Sequence, residues 1–179
     1  MGLLGQVRAQ QENINFTSLS TKDGLSSNTV NAILKDRYGL LWFATEDGLD
    51  KFDGIGFQVY RQKAGDPASL QANEILALHE DRAGNLWVGT SGGSLSLYDR
   101  KKDAFIHFPA NAGRGTISNS VIRSICSDEN GKIWIAHYDG VDILDPATRR
   151  VSAFPLPAGG SGIVSNRSGI CVFNDSWNR

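Results

Sequence analysis

The sequence predicts an all-β fold, a β-propeller fragment of about three and a half four-stranded blades. Three observations lead there. The string "DRYGLLW" at 36–42 returns as "DRAGNLW" at 81–87 and "DENGKIW" at 128–134, at spacings of 45 and then 47 residues. Each interval divides into four short segments rich in β-branched and aromatic residues, separated by turn chemistry. No segment carries a helical apolar period with caps. Repetition at this period, with four strands per repeat, is the pattern of propeller blades.

The elements follow in order. Residues 1–13 read as a signal-peptide remnant or a disordered N-terminus: Leu3 and Leu4 precede "VRAQQ", where the small Ala9 could end a cleavage site. The apolar run is shorter than the ~7–15 residues of a complete secretory signal. The partial propeller then occupies 14–179, opening on a lone strand in "INFTSLS" at 14–20. Repeats fall at about 26–60, 71–108 and 117–154. In the first, "VNAILK", "LLWFAT", "LDKFD" and "FQVY" are the four strands. An incomplete fourth repeat at 163–179 keeps the register, with Asn166 and Asp175 placed 47 residues after Asn119 and Asp128. It stops where an aliphatic residue and a Trp would follow, so the chain reads as cut in mid-repeat.

Within each repeat the turn between first and second strands is Asp-x-x-Gly. Asp bonds the amides ahead of it and Gly tolerates positive φ. "EDG", "SGG" and "YDG" mark the next turn, and "DGIG", "DRKKD" and "DPATRR" the third. A Trp brings the largest apolar area of any side chain and an indole N–H that needs a partner. One blade cannot bury both faces alone. Asp36, Gly39 and Trp42, Asp81, Gly84 and Trp87, and Asp128, Gly131 and Trp134 are therefore read as a packing device, with each Trp wedged against a neighbouring blade.

Composition excludes several function classes. Forty per cent apolar and 21% charged residues are globular usage, and 179 residues are enough for one domain with a real core. Eighteen basic against 19 acidic residues leave a net charge of −1 with no run of like charge. The basic footprint of a nucleic-acid binder is missing. No stretch of ~18 apolar residues is present to span a membrane as a helix. Cys126 and Cys171 have no C-x-x-C pairing and no His neighbours at zinc spacing, and they read as buried thiols.

The stretch "DGLSSNTVNAILKDRYGLLWFATEDGLDKFDG" resembles the two-component regulator propeller repeat, and the resemblance extends over about residues 16–179. It rests on the "DGL-S-N" start, the "D-x-x-G-x-x-W" turn and the "T-x-x-G-L" turn, all in order in the first repeat. Later repeats depart from the pattern: "GTSGGSL" inserts a residue, and Ala136-His137 replaces the usual Gly-Thr. The resemblance implies the extracytoplasmic, periplasmic sensor region of a hybrid two-component system histidine kinase, common in bacteria that degrade complex polysaccharides. It further implies a seven-bladed ring as the first of two propellers, followed by an immunoglobulin-like module, a membrane span and a kinase.

Ligands of propellers usually sit on the face carrying the second-to-third-strand turns and the interblade loops. Here those turns present Thr45, Glu46 and Asp47, then Ser91 and Gly92, then His137, Tyr138 and Asp139. The interblade loops add Arg61, Lys63, "AGDPASLQ", and "ANAGRGTI" with Arg114. Carboxylates, hydroxyls, imidazole and an aromatic ring together suit an oligosaccharide, whose hydroxyls need paired donors and acceptors and whose apolar face stacks on a ring. His137 and Tyr138 are the foremost candidates because they mark the departure from Gly-Thr. Ordinary solvated loop tips are the alternative.

No catalytic, cofactor or metal set is assigned. "DENGK" at 128–132 lacks the spaced acidic ligands of a calcium loop. His79, His107 and His137 take three different places in the repeat. No Gly-x-Ser-x-Gly elbow or paired catalytic carboxylates stand out. The reading is thus a non-enzymatic sensor propeller. A secreted, polysaccharide-lyase-like propeller enzyme and a plain interaction scaffold stand as rivals. Open blade ends imply a homo-oligomer.

Overall fold

The computed structural model describes residues 16–110 and 115–155. The readings for residues 1–13, Arg114, Cys171 and the fourth repeat lie outside these. Twelve strands are arranged as three sheets, each an antiparallel meander in chain order. The first blade comprises β1 (Val30–Lys35), β2 (Leu41–Thr45), β3 (Gly48–Phe52) and β4 (Phe57–Tyr60). The second comprises β5 (Ile75–Glu80), β6 (Leu86–Thr90), β7 (Leu95–Asp99) and β8 (Ala104–Phe108). The third comprises β9 (Ile122–Ser127), β10 (Ile133–His137), β11 (Gly140–Asp145) and β12 (Arg150–Ala153). The strands read from the first repeat agree with these bounds to within one residue. The strand expected at 14–20 does not form over 16–20. Ser20 instead caps a 3-10 turn at Thr21–Asp23, its amide donating to the Asp23 carboxylate at 2.9 Å.

Side chains alternate across each second strand, and both faces of the middle blade are buried. Leu86 and Val88 face back onto Trp42, Ala44 and Leu49 of the first blade, with Tyr98 and Phe105 completing that seam. Trp87 faces forward onto Ile122, Ile125, Ile133, Ile135 and Leu144 of the third blade. Trp42 and Trp87 therefore each fill the seam to the next blade, as expected for a wedge, and both are fully buried. Trp134 turns to the opposite side of the third sheet, against Ala136 and Val141, and is half-buried.

Close approach of blades depends on the small residue two positions after each Trp. A Cβ on Gly89 would lie 2.7 Å from the Ile122 side chain. At the corresponding places Ala44 and Ala136 are fully buried. A one-residue register shift recurs where β1, β5 and β9 begin, between Val30 and Ala32, between Ile75 and Ala77, and opposite Ala136 and His137. Such a bulge adds local twist and re-aims the strand end. It stands beside the second-to-third-strand turns, which are the tips of each blade.

Candidate functional site

The two ends of each blade differ in chemistry. At the β1–β2 end and its repeats, the Trp indole donates to the turn Asp: Trp42 to Asp36 and Trp87 to Asp81 at 2.9 Å, Trp134 to Asp128 at 3.1 Å. The other carboxylate oxygen accepts two turn amides, those of Tyr38 and Leu40 at 3.0 Å in the first blade. Ala83 with Asn85, and Asn130 with Lys132, do the same in the others. Burial pushes each Asp upward, but these bonds outweigh it and hold all three below the usual carboxylate range. Gly39, Gly84 and Gly131 close the turns at φ of 85°, 87° and 77°, a region that favours glycine. The motif is saturated by its own bonds and serves the fold.

At the other end the tips share a different device. Thr45 Oγ1 donates to the Gly48 carbonyl at 3.0 Å and accepts the Asp47 amide at 3.1 Å. Thr90 repeats this with Ser94 and Gly93, both at 3.0 Å. In the third blade His137 takes the position: its Nδ1 accepts the Asp139 amide at 3.2 Å and its Nε2 meets Asp142 at 3.1 Å. With Nδ1 accepting, the neutral ring carries its proton on Nε2 and donates it to Asp142. His137 is only 2% exposed, so it lies beneath the tip rather than on it.

Beneath the tips, Asp50 and Asp142 stand at equivalent positions. Asp50 accepts both the amide and the hydroxyl of Ser26, and Asp142 accepts both of Ser118. Burial dominates at Asp50 and raises its carboxyl despite the Ser26 bonds. At Asp142 burial also acts upward, but the added bond from His137, with those from Ser118, brings it below the usual range.

The exposed tip residues fall into two groups. In the first blade Glu46 is exposed, and Asp47 pairs with Arg61 at 2.9 Å while Asn73 of the second blade approaches it at 3.4 Å. In the third, Tyr138 is 39% exposed with the Arg123 guanidinium 5.6 Å from its ring centre. Asp139 accepts from Asn119 at 2.6 Å. Between these groups stands the second blade, whose tip is Gly92 and Gly93. A cleft of about 500 Å³ runs there along the 62–71 loop, lined by Lys63, Asp66, Gln71, both glycines and His107. His107 bridges its floor, Nδ1 to Ser96 Oγ at 2.9 Å and Nε2 to the Pro67 carbonyl at 3.1 Å. The sequence reading gave this loop and Gly92 as parts of the ligand face but not His107, which lies in β8, the outer strand of its blade. Only the contact across 40 residues brings that imidazole under the loop.

The pattern of the two-component regulator propeller family matches residues 24–47, 69–92 and 116–139. The blades are two-component regulator propeller repeats. Each match begins ahead of a blade's first strand and ends at or beside its tip, at Asp47, Gly92 and Asp139. Among solved structures, these repeats resemble the extracellular domain of a B. thetaiotaomicron protein assigned to a hybrid two-component system, with a TM-score of 0.72 and 29% identity. That match covers 77% of this chain and 20% of the other. A second such domain of the same organism matches with a TM-score of 0.59 and 27% identity over 72% of this chain and 18% of its own. Histidine kinase P4 of Formosa agariphila is 44% identical over 64 residues, 36% of this chain and 5% of that protein. This chain thus spans a fifth or less of each relative. No helix among the described residues is long and apolar enough to cross a membrane. Among the same residues no group of three His, Cys, Asp or Glu side chains could hold a metal ion.

Proposed function

We propose that this propeller segment belongs to the periplasmic sensor region of a hybrid two-component system histidine kinase and contributes its tip face to recognition of a glycan or glycan-derived signal. The likeness to extracellular two-component domains at 29% identity and a TM-score of 0.72 carries the sensor reading. The glycan reading rests on the tips, where the Tyr138 ring stands beside Asp139 and Arg123, with Glu46 and the Asp47–Arg61 pair on the first blade. His137 serves by holding the Asp139 amide and so the pitch of Tyr138. Replacing Tyr138 and Asp139 together by Ala leaves stability within about 0.5 kcal/mol, because both are exposed. Calorimetric titration of the intact receptor with oligosaccharides then loses affinity; unchanged affinity removes these residues from the ligand face.

Self-association is part of the same proposal. Ile33, on the first strand of the first blade, is 62% exposed, and an uncovered blade face or edge invites pairing with another chain. Light scattering at micromolar concentration reads this as a dimer or larger species, and a cooperative monomer excludes it.

A further inference from the structure

The repeat provides an internal control at the seam between the first two blades. Cross-strand register sets Leu97 opposite Trp87 and Ile143 opposite Trp134, but Lys51 opposite Trp42. Two blades thus place an aliphatic side chain beside the indole, as packing favours; the first places an ammonium. The adjoining turn diverges at the same spot. Tyr38 and Leu40 occupy the positions held by Ala83 and Asn85 in the second repeat and by Asn130 and Lys132 in the third. Arg100, on the β7–β8 turn, corresponds to Pro146 in the third blade.

These substituted residues converge. Tyr38, Leu40, Lys51 and Arg100, with Trp42 and Tyr98, line a cleft of about 390 Å³ at the end of the blades opposite the tips. Both charged side chains in its wall are cations, flanking one ring: Lys51 Nζ lies 5.8 Å and Arg100 Cζ 5.9 Å from the Trp42 centroid. They differ in how they are balanced. Arg100 pairs with Asp36 at 2.8 Å and Glu80 at 3.4 Å, and its Nε reaches the Gly84 carbonyl. Lys51 donates to Tyr60 Oη at 2.9 Å, and no ion pair to it is formed among the described residues. Two of its three N–H bonds are left for an acceptor. Beside it the Tyr38 ring is 67% exposed.

We propose that this cleft is a binding site for a carboxylate carried on a six-membered ring, with the carboxylate on the Lys51 ammonium and the ring along Tyr38 and Leu40. A charge-assisted bond to a half-buried ammonium supplies selectivity for the anion, and the ring wall supplies contact area. The site is separate from the tip face and does not depend on what binds there.

NMR titration of the 179-residue protein tests it, reading the Trp42 indole and Lys51 amide resonances. The probes are D-galacturonate and benzoate, with D-galactose and benzamide as their neutral counterparts. One or both acids shift these resonances saturably and the neutral compounds do not; which acid binds distinguishes a sugar ring from an aromatic one. Lys51→Leu, the residue of the second blade, weakens binding at least about tenfold, while Lys51→Arg retains it. Neutral compounds shifting the resonances equally, or neither acid shifting them at millimolar concentration, overturn the proposal. So does undiminished binding by Lys51→Leu.

Discussion

The two blade seams are built from the same repeat and sealed in different ways. At the second seam Trp87 shares a core with five isoleucines, Ile117, Ile122, Ile125, Ile133 and Ile135, and aliphatic burial is joined there by neutral bonds such as His79 to Ser127 and the Gly92 and Ser94 amides to the Ser120 carbonyl. At the first, Trp42 meets Tyr60 and Tyr98 at centroid distances of 6.0 and 5.0 Å, and charge crosses the seam. Arg100 of the second blade reaches Asp36 of the first, and Arg37 of the first reaches Glu80 of the second at 3.3 Å and two carbonyls beyond. Asp103, at a positive φ of 52°, accepts from Tyr60, Tyr98 and Gln58 and ties the outer strands together. A repeat fixes where a wedge goes but not what surrounds it. The first seam answers to pH and salt through its ion pairs; at the second, a titratable group is His79, whose imidazole meets Ser127 of the third blade at 2.9 Å and is held by burial below the usual histidine range.

The largest effect that separates them is Trp87→Ala. Loss of a fully buried indole from the aliphatic seam costs ~3–5 kcal/mol. Denaturant titration measures it, and a loss below about 1 kcal/mol means the second seam does not depend on the wedge. Because that seam carries no ionised partner for the Trp beyond Asp81, the deficit stays level through neutral pH.

Arg100→Ala comes next, at about 2 kcal/mol, since a fully buried carboxylate loses its charged donor. Its signature is in the pH dependence. Asp36 is buried, which pushes it upward, yet bonds from Trp42, Arg100 and Leu40 hold it low. A depressed carboxyl adds stability above its unfolded pKa and loses it as pH falls through the folded value. The Arg100→Ala deficit is therefore full at neutral pH and shrinks in acid. Melts from neutral to strongly acidic pH check this, and a deficit constant across that range removes the ion pair from the seam's stability.

The smallest effect compares the hairpins of the first and third blades. Asp142→Asn costs about 1 kcal/mol near neutral pH, where its depressed carboxyl stabilises the fold. Asp50→Asn is close to neutral there, because a raised carboxyl contributes its stability when protonated and loses it as pH rises through the folded pKa. His137→Thr, which restores the residue of the other two blades, removes the bond that sets Asp142 apart and brings its titration up toward that of Asp50. Carboxyl NMR titrations read both groups, and equal pKa values in the wild-type protein would contradict the role given to His137.

Most of the fold was legible in the sequence because its signals are local. Strand runs, Asp-x-x-Gly turns and the fixed place of each Trp are set within about seven residues, and the structure returns them almost unchanged. The site was legible only as a face. Tip positions follow from the repeat, so Glu46, Asp47, Tyr138 and Asp139 stand exposed where the turn chemistry put them. His137 was singled out because it breaks the pattern, and the structure explains the break from within: an imidazole can cap the turn as Thr does and still donate to Asp142. Nothing in the local string marks that second partner.

Taken alone, the sequence determined the all-β class, the blade period, the strand order within each sheet and the structural duty of Asp, Gly and Trp. These depend on side-chain alternation and turn geometry, which act over a few residues. Only the tertiary structure decided which side chains face each other across a seam. Arg100 lies 64 residues from Asp36, His107 lies 40 from Pro67, and Lys51 shares a cleft with both Tyr38 and Arg100. Those pairings depend on how closely two sheets approach, which small residues such as Gly89 set, and on the bulge that turns each first strand. Contacts of that range come from packing two blades together, and no single repeat contains them.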